Sequence, residues 1–234
     1  MAARARPAAA PAPEPEALRP PLQNRSRASL ERVLDAGQKL LEEEGWEGFT
    51  VQEVSRRAKV SIGSIYARAP SKEALILAVY DRAVGQIAEA NEALLVPQEQ
   101  WEQLETRDLI VSATRELTRQ MLDFEAILRV FMNRAPVDET IRERAAVQIR
   151  RLASRWEELV LSRKDEITHV EPDVAIEVAF RMVFSTMQRR VQFGPQFAAY
   201  REVTDEQLTD EVGRAVAAYL LEPPVRAVGG RKKR

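Results

Sequence analysis

The residues with the most chemical content lie between Thr50 and Lys72, in the run TVQEVSRRAKVSIGSIYARAPSK. Ser61, Gly63 and Ser64 are small or hydroxylic, Tyr66 carries a phenol and Lys72 an ammonium. Free backbone N–H groups in the first turn of a helix, beside small side chains, suit a phosphate oxygen. Small residues there also permit close backbone approach. Other chemistry lacks its parts. There is no cysteine, so thiolate metal sites, disulfides and a cysteine nucleophile are excluded. His169 is the only histidine and is expected on a surface loop beside Glu171-Pro172. One histidine without cysteine leaves most transition-metal sites and nucleophilic triads unbuildable. Carboxylates stand beside arginines, as in Arg142-Glu143-Arg144, and read as ion-paired helix surface. We expect no enzymatic activity, no metal and no cofactor.

The elements around this run explain its spacing. Thr50 and Glu53 form a capping-box pattern that opens a helix of two turns, with Val51, Val54 and Ala58 inward. Ser61 opens a second short helix containing Ile65 and Tyr66, and Lys59-Val60-Ser61 joins the two. Two short helices so joined make a helix-turn-helix, whose second member can put its first turn into the major groove. A preceding helix from Ser29 to Glu44 repeats Leu30, Val33, Leu34, Gly37, Leu40 and Leu41 at three- and four-residue spacing, and Gly45 ends it. Val54, Val60 and Ile65 would hold the pair against it. Ser71 caps a fourth helix with Leu75, Ala78, Val79 and Ala83 inward.

Beyond Pro97 the helical period resumes. Residues 106–120 and 121–134 form one or two helices, closed by Pro136. Asp138 caps a long helix with the stripe Ile141, Ala145, Ile149, Leu152, Trp156, Leu159 and Val160. Glu171-Pro172-Asp173 begins another, reaching Phe193, and Thr204 caps the last, with Leu208, Val212, Ala215, Val216, Tyr219 and Leu220. The expected fold is all-α with about nine helices, and neither a two-residue alternation nor an internal repeat is found.

Four regions follow: a Pro/Ala-rich arm at 1–24 with six prolines, a helix-turn-helix domain at 25–74, an all-helical domain at 75–222, and a basic tail at 223–234. The arm and tail are expected to be disordered. Residues 1–72 hold 12 Lys/Arg against 9 Asp/Glu, and the remainder 23 against 27, so charge alone does not point to nucleic acid. No apolar run reaches the roughly 20 residues of a membrane span, and Met1 to Pro20 has no continuous apolar core of a signal peptide. A soluble, cytoplasmic chain with no membrane partner is expected.

Residues 29–80 resemble the TetR family of bacterial transcriptional regulators. The family pattern of an Ile-Ala pair, Ala-Gly-Val-Ser, Gly-Thr-Leu-Tyr, a Phe and Ser-Lys-Glu is met by Val54-Ser55, Ala58-Lys59-Val60-Ser61, Gly63-Ser64-Ile65-Tyr66, Ala69 and Ser71-Lys72-Glu73. The resemblance implies that Ser61, Ile62, Gly63 and Ala67 face base edges, that Ser64, Tyr66 and Lys72 hold phosphates, and that Thr50 and Gln52 sit near the backbone of the same groove. Two departures matter. Lys59 stands where the family has a turn glycine, and a left-handed conformation there strains any other residue. Ala69 replaces the aromatic that packs the third helix onto the fourth, which predicts a looser joint.

The resemblance further implies a homodimer that binds double-stranded operator DNA and releases it when a small, mostly apolar effector enters the second domain. The helix at 173–193 has two apolar stripes, so it must be covered on more than one side. From it and the last helix we nominate Ile176, Phe180, Phe184, Met187, Leu208, Val212 and Val216 for the dimer interface. Met121, Phe124, Leu128, Phe131, Met132, Trp156 and Met182 are nominated as effector-pocket residues, being large and adaptable apolar groups. The competing reading is a helical ligand-binding dimer with impaired or no DNA binding, which Lys59 and Ala69 leave open.

Overall fold

A computed structural model describes residues 24–95, 99–197 and 200–223. The arm through residue 23 and the tail from residue 224 lie outside the described residues. Those residues form ten α-helices and one 3-10 turn, with no strand among them. The helices are α1 (Asn24–Gly48), α2 (Val51–Ala58), α3 (Ile62–Tyr66), α4 (Lys72–Leu94), α5 (Glu99–Glu102), α6 (Thr106–Asp123), α7 (Glu125–Arg134), α8 (Glu139–Leu161), α9 (Pro172–Phe193) and α10 (Asp205–Leu221). The chain divides into two units between Arg82 and Ala83, within α4.

In the first unit α1 starts at Asn24, a turn before the expected Ser29, and is broken at Gly45, whose φ of 69° no other residue takes without strain. Leu30, Val33, Leu34, Leu40 and Leu41 are buried, as the three-four spacing requires. Phe49, Val54, Ala58, Val60 and Ile65 of the same unit are buried as well. Gly37 permits a close helix crossing, because a Cβ there would lie 2.7 Å from Val79 Cγ2. Arg82 donates to the Glu31 carbonyl oxygen and pairs with Asp35, pinning the first half of α4 to α1.

In the second unit the break between α6 and α7 falls at Phe124, so the expected one or two helices are two. The main core joins Trp101, Leu109, Ile110, Leu117, Trp156, Leu159, Ile176, Phe180, Val183 and Leu220. Burying each such side chain contributes about 1.5–3 kcal/mol before chain entropy is subtracted. A second, smaller cluster of Met121, Met187 and Val191 is flanked by Leu122, Leu128, Met132, Phe184 and Leu208. His169 is half-buried, its ring 5.4 Å from that of Tyr219, and its Nδ1 accepts from the Glu171 N–H at 3.2 Å. Among the described residues no helix is long and apolar enough to cross a membrane.

Candidate nucleic-acid interface

The N-cap of α2 is Thr50, whose Oγ1 accepts from the Glu53 N–H at 3.2 Å. The expected capping box closes on this side only. Glu53 turns its carboxylate to Arg56 (Nε 2.8 Å, Nη2 2.6 Å) and Arg57 (Nε 2.7 Å) instead. These two guanidiniums, first of all through their hydrogen bonds, hold its carboxyl at about 2. Arg57 also reaches Glu43 on α1.

The turn is built around Ser55. Its carbonyl oxygen accepts from the Lys59 and Val60 N–H groups, and its hydroxyl donates to the Val60 carbonyl at 2.7 Å. Lys59 has φ 54° and ψ 44°, the left-handed conformation its position predicts. Ser61 caps α3, with its Oγ accepting from the Ser64 N–H at 3.3 Å and lying 2.8 Å from Ser64 Oγ. Their hydroxyls therefore organise one another before meeting anything else.

The short α3 is one-sided. Ile65 is buried, while Ser61, Ile62, Gly63, Ser64, Tyr66 and Ala67 are all exposed, Ile62 at 38% and Tyr66 at 44%. Thr50 and Gln52 are exposed as well, and Lys72 is half-buried at the start of α4. A Cβ on Gly63 would meet nothing within 4 Å, so no packing inside the chain calls for glycine there. Ala69 is 1% exposed, beside a crevice of about 10 Å³ lined by Leu30, Val33, Val60, Ile65 and Leu75 among others. That volume holds one water at most.

The nominated pocket residues separate. Met121, Leu128 and Met132 meet in the small cluster; Phe131 is buried and Phe124 half-buried. Trp156 belongs to the main core instead, and Met182 is 43% exposed on the outer side of α9. Neither joins the methionine cluster, because the rotation of α8 and α9 about their axes is set by the main core. The nominated dimer-interface residues differ in their exposure within a single chain. Ile176, Phe180, Met187 and Val216 are at most 3% exposed in a single chain, so the protomer's own core consumes them. Phe184, Leu208 and Val212 are half-buried. What α9 leaves outside is Asp173, Val174, Glu177, Arg181, Met182, Ser185, Arg189 and Phe193.

Sequence reasoning missed the polar cluster over the methionines. Arg190, almost buried, joins Asp205 at the start of α10 to Glu125 at the start of α7. Arg129 pairs with the same Glu125 and donates to the Val191 carbonyl at 2.8 Å. Arg190 and Glu125 lie 65 positions apart, and no local pattern announces their pairing.

Residues 33–79 match the model of the family described as bacterial regulatory proteins, tetR family. No curated protein sequence matches the chain. Among solved structures, a candidate TetR-family transcriptional regulator from Mesorhizobium loti is 16% identical, over 84% of this chain and 97% of that one, with a TM-score of 0.64. A tetR-family regulatory protein from Rhodococcus is 14% identical over 82% and 96%, with a TM-score of 0.61. The fatty acid degradation regulator FadR from Bacillus halodurans is 14% identical over 81% and 94%, with a TM-score of 0.60. At such identities the likeness is one of fold.

Proposed function

We propose that this chain, whose DNA-binding domain is that of the tetR family and whose fold is the one those regulators share, is a homodimeric transcriptional repressor released from its operator by a small apolar ligand. The observation that carries the DNA-binding part is the outward face of α3. Six neighbouring residues are exposed around one buried isoleucine, and Gly63 is small without any internal reason to be so.

In this reading Ser61, Ile62, Gly63 and Ala67 face base edges, and Ser64, Tyr66 and Lys72 hold phosphates. Thr50 and Gln52 approach the same backbone. One such helix covers too few base pairs for useful specificity, so two copies read two half-sites about 34 Å apart, or a small multiple of that. The contact between copies uses the outer face of α9, where Val174 and Met182 are apolar and unspent.

The effector sits by the methionine cluster of Met121, Leu128 and Met132, whose flexible side chains repack around an apolar guest. Gln120, buried beside Met121, donates from Nε2 to the Ile87 carbonyl at 3.1 Å and so grips the second half of α4.

The test has two arms. DNA selected from a random duplex pool should contain an inverted repeat, and its absence would sink the dimeric reading. A library of apolar compounds should then be screened for release of that DNA. By linkage, DNA must weaken the released compound's binding by the same factor. A compound bound equally well with and without DNA would remove the effector from the account.

A further inference from the structure

We propose that Lys59, which nothing in the family pattern assigns to DNA, is a phosphate contact held in the turn between α2 and α3 for its charge; the inference rests on the DNA-binding reading above. Lys59 is the only residue other than glycine with a positive φ among the described residues. Glycine takes this conformation without a Cβ clash, and a lysine does not. The turn's own hydrogen bonds use only the backbone of residue 59, so the fold itself gives no reason for a side chain there.

The surrounding charges sharpen the point. Arg56 and Arg57 are held by Glu53, and Arg57 by Glu43 as well. Arg68 is spent on Ser26, Arg32 on the Ala58 carbonyl, and Arg82 on Asp35. Among the described residues of this unit, Lys59 is exposed and has no acceptor within the chain, and it is the one such cation lying between α2 and α3. It stands two residues before Ser61, a separation of at most about 7 Å along the chain. A lysine on its flexible four-carbon stem is a compact point charge with three donors, which matches a phosphate without demanding a fixed geometry. Its ammonium can therefore reach the strand that borders the groove entered by Ser61 and Ile62.

The experiment compares the full-length chain with K59G, K59A and K59R on one duplex selected by the wild type, between about 50 and 200 mM salt. K59G should melt at or above the wild-type temperature and above K59A, because it removes the Cβ clash. Its plot of log affinity against log salt should nevertheless be shallower, by about 0.9 for each lysine that neutralises a phosphate. K59A should show the same loss of slope, and K59R should keep the wild-type slope. A K59G or K59A slope equal to wild type overturns this inference alone. A wild-type chain that selects no duplex overturns it together with the reading beneath it.

Discussion

Arg190 on α9 forks onto Asp205, the first residue of α10, with Nε 2.5 Å from Oδ1 and Nη2 2.6 Å from Oδ2. Its third contact, Nη1 to Glu125 at 3.0 Å, brings in the start of α7. Planar two-point pairing of this kind is the strong form of an ion pair. Asp205 first, and then Glu125, raises the Arg190 pKa further above its ordinary value, so the cation persists throughout the working pH range.

Replacing Arg190 by Met should therefore cost about 2 kcal/mol of stability, since Glu125 and Asp205 are left partly buried without a counter-charge. Arg119→Met, at an exposed pair with Glu116 and Asp123, should cost less than about 0.5 kcal/mol. Urea unfolding of both variants checks the contrast, and equal losses would remove the special role of the cluster.

Ile62 should read thymine. In a selected operator made with deoxyuridine, which lacks only the C5 methyl, affinity should drop about fourfold per reading head, the equivalent of about 0.8 kcal/mol for a buried methyl-sized group. Ile62→Ala should lose most of that difference. An Ile62→Ala protein that still prefers thymine as strongly as the wild type would place the methyl contact elsewhere.

Met182→Glu should separate the copies without unfolding them. The side chain is 43% exposed in the single chain, so a carboxylate is tolerated there but would be buried unpaired in a contact between two α9 helices. Sedimentation should give a monomer, circular dichroism should stay helical, and DNA affinity should collapse. A folded Met182→Glu dimer would move the contact off this face.

Glu53 should titrate at about 2, well below the ordinary carboxylate value of 4.5. A depressed folded-state pKa contributes stability that is fully present above about 4.5 and disappears as pH falls toward 2. NMR titration of the Glu53 carboxyl gives the value directly, and Glu53→Gln should flatten the pH dependence of stability in that window. A midpoint near 4.5 would mean that Arg56 and Arg57 do not hold it in solution.

Helix starts were legible in the sequence because capping is a local bond. Thr50, Ser61, Ser71, Asp138 and Thr204 each accept from the N–H three residues ahead, a contact written in the spacing itself. The exposed turn of α3 was legible for the same reason, since a helix of five residues with one isoleucine has a single side to bury. Longer-range partners were not. Glu53 was spaced to close a capping box, yet two arginines one turn ahead offered charge-assisted bonds and took it. On α9 two apolar stripes compete, and a helix apolar over so much of its circumference carries no local signal for its rotation. Packing against α6, α8 and α10 decided that Ile176, Phe180 and Met187 go inward and that Val174 and Met182 stay out, because that rotation fills the core cut by those helices.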